Sequence, residues 1–204
     1  MSDTPNPPKP SKQASKERLV LPVAAATRFI LVGTHYPENL GAAARAMKVM
    51  GLTRLTLVGP SRLARPEHPM AVKMAVKSYE VLSQAARVDT LAEALVGVDF
   101  SLGTSGRTGL RRVLPLTTAA QELVRRAGAG SRGEGEQLAV VFGNEKTGLS
   151  DADLALCDAC LRIPMAAAQP SINLAQACQL VAYQLFVTGL AEREGDHRSA
   201  PPSC

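Results

Sequence analysis

One stretch of the chain decides the fold: residues 28–59 read RFILVGTHYPENLGAAARAMKVMGLTRLTLVG. The apolar run at residues 28–33 indicates a buried strand, and Arg54–Val58 indicates a second one, which Gly59 and Pro60 end. Between the two strands, apolar residues recur at the spacing of one helix face: Leu40, Ala43, Ala44, Met47 and Met50. A strand, a helix and another strand in this order are the repeating unit of a parallel sheet.

The same alternation continues along the chain. Further strands are predicted at residues 99–103, at Leu138–Phe142 and at residues 160–163. The predicted helices between and after them cover residues 69–78, 89–96, 117–127, 151–157 and 172–190, with Asp89 and Ser150 as N-caps of two of them. The predicted fold class is therefore α/β, a mostly parallel sheet with helices on both faces. Ligands of such sheets collect at the carboxyl ends of the strands.

The two ends of the chain differ from the middle in composition. Residues 1–27 are rich in Pro, Ser and Lys and are predicted to form a disordered basic tail, and residues 191–204 are predicted to form a polar C-terminal tail. The folded domain is expected at residues 28–190. Neither a secretory signal nor an apolar run of membrane-spanning length is expected, so the predicted location is cytoplasmic, with no membrane partner.

The overall composition limits the possible functions. The net charge of +5 suits a polyanionic partner such as a nucleic acid. Aromatic residues make up only 3% of the chain, which argues against an RNA-recognition sheet that stacks bases on Phe and Tyr. Cys157 and Cys160 form a lone CxxC, and without a second such pair a zinc site is not expected. We therefore predict packed thiols and no metal.

Unusual polar residues follow the first predicted strand. Asn39 lies at or near the predicted N-cap of the next helix, and Gly41 permits a close approach of another backbone. Arg45 lies further along the same helix among small alanines, which leave its guanidinium open to a bulky partner. A solvated helix charge is the plainer interpretation of Arg45 taken alone.

Two later loops are also unlike ordinary turns. Residues 142–150 read FGNEKTGLS, and their glycines with Glu145 indicate a loop that wraps a ligand. Residues 164–173 read PMAAAQPSIN and form an apolar entry to the last helix, with Ser171 as its predicted N-cap and Asn173 predicted to be buried or to face a ligand. Standard nucleotide motifs such as GxxxxGK[ST] and GxGxxG are absent, which disfavours a Rossmann dehydrogenase.

Together these three loops resemble the three motifs of the SpoU/TrmH family of SPOUT RNA methyltransferases. The matching segments, in the family's order, are PENLGAAARAMKVMG at residues 37–51, VVFGNEKTGLSD ending at Asp151, and LRIPMAAAQPSINLAQACQLVAYQL at residues 161–185. The whole pattern, including DTLAEALVGVDFSLGTSGR at residues 89–107, is most similar to the TrmJ-type tRNA methyltransferases, which methylate a ribose in the anticodon loop.

The resemblance implies a C-terminal trefoil knot, a homodimer with each site completed across the interface, and S-adenosyl-L-methionine as the cofactor. It implies that Arg45 is the catalytic arginine, with Asn39, Glu145, Ser171 and Asn173 as the other residues of the catalytic site. Cofactor contacts are expected from Thr104, Ser105, Gly106, Gly143, Ile163, Pro170, Ser171 and Ile172.

The implied function is methylation of a ribose 2′-hydroxyl in RNA, with the anticodon loop of tRNA as the expected target. Two alternatives stay open, namely a ribosomal RNA substrate and a non-catalytic RNA-binding knot protein. The sequence departs from the family pattern at Ile172, where leucine is common, and at Gln169-Pro170. The short segment after the last helix also differs from the longer C-terminal extension common in TrmJ-type proteins, which leaves the RNA substrate open.

Arginine stays protonated in proteins near neutral pH. We therefore expect Arg45 to hold the phosphate next to the target ribose and to stabilise the developing alkoxide, while a phosphate oxygen or a water takes the proton. Other basic residues are expected to line an RNA-facing surface, although each is equally well explained as a solubilising charge: Arg54, Arg62, Arg65, Lys73, Lys77, Arg107, Arg111 and Arg112.

Overall fold

A computed structural model describes residues 19–128, 135–166 and 172–199 of the chain. Its elements, in chain order, are α1 Pro22–Ala26, β1 Thr27–Val32, α2 Pro37–Val49, β2 Arg54–Val58, α3 Pro69–Ala75, α4 Tyr79–Ser83, β3 Ala86–Val88, α5 Leu91–Ala94, β4 Phe100–Thr104, β5 Val113–Pro115, α6 Leu116–Gly128, β6 Leu138–Phe142, α7 Asp151–Ala155, β7 Ala159–Arg162 and α8 Leu174–Ser199. The strands form one sheet in the order β3-β2-β1-β6-β4-β7-β5, and neighbouring strands all run parallel. The predicted α/β class is confirmed.

The central strands are buried on both faces of the sheet. Phe29, Ile30 and Leu31 of β1 have no exposed surface, and every residue of β6 is buried. A parallel sheet with helices on both sides requires such continuous apolar runs, which is why these strands are recognisable in the sequence. The larger of the two cores lies under α2, α6 and α8, and the smaller lies under α5 and α7.

The first long helix packs closely on its neighbour. A Cβ atom added to Gly41 of α2 would lie 2.1 Å from the carbonyl oxygen of Ala71 in α3. This contact confirms that Gly41 allows a close backbone approach, because any side chain there would separate the two helices.

The last helix carries the predicted apolar stripe into the core. Leu174, Cys178, Val181 and Leu185 of α8 are all buried, and the helix contacts α2 and α6. The segment Leu174–Gly195 of α8 is also long and apolar enough to cross a membrane by length and composition alone. The prediction that no run reaches that length is therefore wrong.

Both ends of the folded part differ from the prediction. A short helix, α1, lies inside the stretch assigned to the N-terminal tail, and Leu21 and Val23 are buried against the core. At the other end, α8 continues to Ser199 instead of ending near Leu190. The N-terminal stretch was misassigned because the polar residues before it and Pro22, which interrupts the apolar residues 19–26, outweigh so short an apolar segment.

Some short elements and one cap also differ. The strands β3 and β5 and the helices α1 and α4 have three to five residues each, too few to show a clear apolar period. Thr90, not Asp89, caps α5, since its hydroxyl accepts a hydrogen bond from the backbone N–H of Glu93 at 3.3 Å. The predicted cap at Ser150 is confirmed, because its side chain accepts from the N–H of Asp153 at 3.1 Å.

Candidate functional site

A cleft of about 330 Å³ opens at the carboxyl ends of β4, β6 and β7. Its walls are the loop after β4, the loop after β6, and the segment from the end of β7 to the start of α8. These three strands are neighbours in the sheet, since β4 lies between β6 and β7. The cleft therefore lies at the edge of the sheet where ligands of parallel sheets bind, as the sequence predicted.

Most residues predicted to contact the cofactor line this cleft. They are Thr104, Ser105, Gly106, Gly143, Ile163 and Ile172. Pro170 and Ser171 lie outside the described residues. Several further residues line the cleft although they were not predicted to contact a cofactor, among them Arg107, Asn144, Met165 and Leu174. Each of these follows within a few positions of a predicted lining residue, so a wider window around each motif would have included them.

The loop after β6 is folded back on itself by its own hydrogen bonds. The side-chain oxygen of Asn144 accepts hydrogen bonds from the backbone N–H groups of Lys146 and Thr147, both at 2.9 Å. The N–H of Gly148 donates to the carbonyl oxygen of Asn144 at 3.0 Å. A Cβ atom on Gly143 would lie 2.1 Å from the carbonyl carbon of Gly148, so only glycine fits where the loop closes.

Arg107 joins two walls of the cleft. One guanidinium nitrogen of Arg107 donates to the carboxylate of Asp151 at 2.6 Å, and another donates to the carbonyl oxygen of Leu149 at 2.7 Å. The backbone N–H of Arg107 donates to the hydroxyl of Ser105 at 3.2 Å, and Arg162 donates to its carbonyl oxygen. These hydrogen bonds, which we call the Arg107 clasp, hold the loop after β4 against the loop after β6.

A polar network lies beside the cleft and is centred on Glu145. Its carboxylate accepts hydrogen bonds from the backbone N–H groups of His35 at 3.1 Å and Tyr36 at 3.4 Å, and from the side-chain amide of Asn39 at 2.8 Å. Since N–H groups at the start of a helix have no partner within the helix, Glu145 stabilises the entry to α2. Both oxygens of Glu145 are occupied by donors, which suits a positioning role.

The network continues from Asn39 to Asn173. The side-chain N–H of Asn173 donates to the side-chain oxygen of Asn39 at 2.9 Å. The oxygen of Asn173 accepts from the backbone N–H groups of Ala175 at 2.9 Å and Gln176 at 3.3 Å. Because a carboxylate only accepts hydrogen bonds, Glu145 fixes the direction of every bond in this series.

The two asparagines of this network both lie at helix starts. Asn39 is near the N-cap of α2, as predicted, since Tyr36 holds the cap position and Asn39 is the third residue of the helix. Asn173 caps the start of α8, where Ser171 was the predicted cap. Asn173 is exposed, so its predicted burial is wrong, and the alternative that it faces a ligand stays a prediction. Its exposure follows from its place before the first turn, where α8 has not yet reached the core.

The structure places Arg45 apart from this network. Arg45 is exposed and lines a separate shallow hollow, with Lys48, Val49, Val76, Lys77 and Ser78. Six residues of helix separate Asn39 from Arg45, a rise of about 9 Å and a rotation of about 120°. Of the predicted catalytic set, Asn39, Glu145 and Asn173 are brought together, Arg45 is not, and Ser171 lies outside the described residues.

The cysteines are packed thiols within the part of the chain that the structure describes. Burial, and then the nearby Cys160 and Asp158, raise the pKa of Cys157 to about 12. Burial also raises the pKa of Cys178. Both thiols are therefore protonated at neutral pH and are poor nucleophiles and metal ligands. Residues 19–128, 135–166 and 172–195 contain no group of three or more metal-binding side chains.

Arg54, which was predicted to belong to the RNA-facing basic surface, lies at the edge of the sheet opposite the cleft. Arg54 begins β2, and its guanidinium donates to the carbonyl oxygen of Ala26 at 3.2 Å and to the side chain of Gln137. Because parallel strands begin at one edge and end at the other, Arg54 lies opposite the cleft. Arg62 and Arg65 follow β2 and are exposed at the cleft edge.

A sequence model of the SpoU rRNA methylase family matches residues 26–183, which include the cleft and the whole polar network. The chain belongs to the SpoU methylase family. The three segments that the polar network joins, at the start of α2, after β6 and before α8, are the ones that resemble the SpoU motifs, so the family's motif regions meet at one edge of this sheet.

Relatives within the SpoU family are named TrmJ. The tRNA (cytidine/uridine-2′-O-)-methyltransferase TrmJ of Klebsiella pneumoniae is 38% identical over 181 residues, 85% of this chain and 70% of that protein. TrmJ of Salmonella typhimurium is 38% identical over 180 residues, with the same coverage of both chains. The crystal structure of TrmJ from Z. mobilis ZM4 superposes with a TM-score of 0.70 at 31% identity, covering 87% of this chain and 72% of that one. The matched part of this chain spans 62 to 70% of the length of such TrmJ sequences.

Proposed function

We propose that this protein transfers a methyl group from S-adenosyl-L-methionine to the 2′-hydroxyl of a ribose in tRNA, in the anticodon loop. The observation that carries the proposal is the polar network, which joins the three motif segments beside one cleft through Glu145, Asn39 and Asn173. The names of the TrmJ relatives support tRNA and ribose as the substrate class. A tRNA substrate also supports a cytoplasmic location without a membrane partner.

The cleft has the chemistry that a nucleoside cofactor needs. Leu161, Ile163 and Ile172 provide apolar walls, while Thr104 and Ser105 provide hydroxyl groups. Its volume of about 330 Å³ lies at the lower end of the range of small-molecule sites. When bound, S-adenosyl-L-methionine would supply a methyl group on a positively charged sulfur, so that a ribose oxygen could take the methyl carbon while the sulfur left as a neutral thioether.

The protein side chains have two further roles, which are to position the substrate and to bind its negatively charged phosphate. Glu145 accepts three hydrogen bonds and holds Asn39, and Asn39 in turn orients Asn173. These residues position the substrate, since correct orientation alone supplies much of the rate of a displacement reaction. Arg45 acts as a clamp on the phosphate next to the ribose, and a phosphate oxygen or water takes the hydroxyl proton.

The position of Arg45 supports a homodimer. Its hollow is bordered by exposed apolar side chains, Val49 at 59% and Val76 at 56%, which a second copy of the chain would cover. Leu180 and Tyr183 of α8 add further exposed apolar surface. In the dimer that we propose, Arg45 of one protomer reaches the network of the other, which explains why it lies apart from Glu145 within one chain. The trefoil knot stays a prediction, because residues 167–171, which lead into α8, lie outside the described residues.

The activity is tested by incubating the protein with radiolabelled S-adenosyl-L-methionine and total RNA, and then mapping ribose methylation. Label in the tRNA anticodon loop supports the proposal. Label confined to ribosomal RNA contradicts the tRNA substrate but keeps the methyltransferase activity. If calorimetry detects no cofactor binding and no label is transferred, the chain is a non-catalytic RNA-binding protein and the proposal is wrong.

The shared site is tested by mixing two inactive variants. Arg45→Ala and Glu145→Ala are co-expressed with different affinity tags, and dimers are purified through both tags. If Arg45 serves the partner's site, each mixed dimer keeps one intact site of its two, so the dimers purified through both tags regain about half of wild-type activity. If both residues serve the same protomer, every site lacks one of them and the mixture stays inactive. Light scattering of the wild-type protein checks the dimer independently.

A further inference from the structure

An exposed tyrosine lies at the edge of the polar network. Tyr36 is 43% exposed and directly precedes α2. The chain is poor in aromatic residues, with three tyrosines, four phenylalanines and no tryptophan. Phe29, Phe100 and Phe142 are buried in the core. All three tyrosines are exposed, and Tyr36 is the one whose backbone is bonded to the polar network.

The backbone around Tyr36 is held on both sides. The N–H of Tyr36 donates to Glu145 at 3.4 Å, and the N–H of His35 donates to the other oxygen of the same carboxylate at 3.1 Å. The carbonyl oxygen of His35 accepts a hydrogen bond from the hydroxyl of Ser61 at 2.9 Å. Pro37, which follows, is buried and limits the backbone of the turn. Tyr36 is thus attached to a rigid part of the site.

The ring of Tyr36 is also held by its neighbour. The rings of His35 and Tyr36 are 4.9 Å apart between centroids, at an angle of 84°. This edge-to-face arrangement is a favourable one for aromatic pairs. The contact restricts the orientation of the tyrosine ring, and the exposed part of the side chain remains open to a ligand.

The same carboxylate that holds Tyr36 also holds Asn39. A ribose placed at Asn39 and Asn173 would therefore have its base close to Tyr36. Proteins that act on single-stranded RNA loops stack the unstacked bases on aromatic side chains. Stacking of this kind tolerates any base, because every base has a π-face.

We propose that Tyr36 is a stacking platform for an RNA base at the methylation site, held in place by His35 and Glu145. The inference rests on the proposed RNA substrate and adds a binding residue to it. Tyr36 acts on RNA binding and not on the cofactor, because it is not among the residues that line the cleft.

Substitutions of Tyr36 test the platform when the KM for tRNA and the affinity for S-adenosyl-L-methionine are measured separately. Tyr36→Leu should raise the KM for tRNA about tenfold, the loss expected when one base loses its aromatic partner. Tyr36→Phe should restore the wild-type KM, because the ring is retained. Cofactor affinity should be unchanged in both variants. An unchanged KM in Tyr36→Leu, with wild-type turnover, overturns the proposal while leaving the methyltransferase activity intact.

A fluorescent reporter tests the contact directly. Since the chain has no tryptophan, Tyr36→Trp introduces a single one, and its emission should fall when an anticodon stem-loop oligonucleotide is added. Val96→Trp is the matched reporter, because Val96 is 72% exposed and precedes β4 at the opposite edge of the sheet. Its emission should not change.

Three results separate failure of the platform from failure of the proposed function. Equal quenching of both reporters, or of neither, overturns the stacking contact when wild-type protein methylates the oligonucleotide. A change from dimer to monomer in Tyr36→Leu also overturns it, because Tyr36 would then contact the partner protomer. No methylation of any RNA by the wild-type protein refutes the proposed function itself.

Discussion

The side chains of Asn39 and Glu145 are 106 positions apart in the chain and are joined by a hydrogen bond of 2.8 Å. Asn39 lies in the first turn of α2, which follows β1, and Glu145 lies in the loop after β6. Because β1 and β6 are adjacent parallel strands, their carboxyl ends lie side by side. The bond therefore joins two of the three motif segments at the edge of the sheet where the cleft opens.

Glu145→Gln should lower activity because it leaves hydrogen-bond donors without an acceptor, in addition to removing a negative charge. Three N–H donors point at the carboxylate, from His35, Tyr36 and Asn39, and a glutamine side chain offers only one acceptor oxygen. An unsatisfied donor costs about 1–3 kcal/mol, so kcat/KM should fall roughly tenfold to a hundredfold. Methylation kinetics measure the loss, and circular dichroism confirms the fold. Glu192→Gln, at an exposed position of α8, is the control, and equal activity of both variants would refute the positioning role.

Arg107→Ala should weaken cofactor binding by releasing the clasp. The variant loses the hydrogen bonds to Leu149 and Asp151, so the loops after β4 and β6 are no longer tied together. Calorimetric affinity for S-adenosyl-L-methionine should fall about tenfold, the value of one hydrogen bond to a charged group. Arg111→Ala is the matched control, since Arg111 is exposed and outside the cleft lining. Equal affinities of the two variants would mean that the clasp is unimportant for binding.

Substitution by alanine should lower the stability of the protein at one glycine of the cleft and leave it unchanged at another. Gly143→Ala places a Cβ atom 2.2 Å from the backbone nitrogen of Leu149, and the forced shift should cost about 1–3 kcal/mol. Gly106→Ala meets no atom within 4 Å, so its thermal unfolding midpoint should match that of the wild type. Thermal unfolding compares the two variants. A Gly143→Ala protein as stable as Gly106→Ala would show that the loop after β6 can open without cost.

Arg45→Lys should lower turnover while leaving cofactor affinity unchanged. Lysine keeps the charge but lacks the planar pair of donors that grips a phosphate. Arg45 lines its own hollow outside the cleft, so the cofactor does not depend on it. Turnover, RNA affinity and cofactor affinity are measured in parallel. Near-full turnover with unchanged RNA affinity would contradict the phosphate clamp.

Lowering the pH should remove the small stabilisation that the ionised Glu122 gives to the folded protein through its arginine partners on α6. Hydrogen bonds from Arg125 and then Arg126 lower the pKa of Glu122 from 4.5 to about 2. A carboxyl group with a lowered folded-state pKa stabilises the protein above about pH 4.5, and this stabilisation is lost as the pH falls towards 2. The effect is small because surface ion pairs are screened by water. Glu122→Gln should therefore unfold at a lower temperature than the wild type at neutral pH and match it near pH 2.

The comparison variant for this pH dependence is Glu192→Gln, on the exposed side of α8. It should follow the wild-type unfolding midpoint across the whole pH range. A constant difference between Glu122→Gln and the wild type at every pH would show that packing, and not ionisation, causes the change.

The sequence predicted the long and buried elements well and the short elements poorly. The strands at Arg54–Val58 and Leu138–Phe142 have the same bounds in the structure as in the prediction. Such strands are buried on both faces: Leu138–Phe142 is apolar throughout, and all of Arg54–Val58 except Arg54 is buried, so the signal is local. The edge strand Ala86–Val88 is largely exposed and carries no such run, and only its pairing with β2 makes it a strand. The helix at Pro22–Ala26 was missed because its apolar residues number too few to show a period.

The amino-acid sequence by itself determined the α/β class, the three loops that carry the site and the edge of the sheet where they meet, since apolar periodicity and strand direction are local properties. The tertiary structure alone decided that Glu145 binds Asn39, that Arg107 clasps two loops and that Arg45 lies apart from both. These relationships depend on strand order, which brings residues more than a hundred positions apart to one edge, and on the turn of α2, which sends Arg45 to another face.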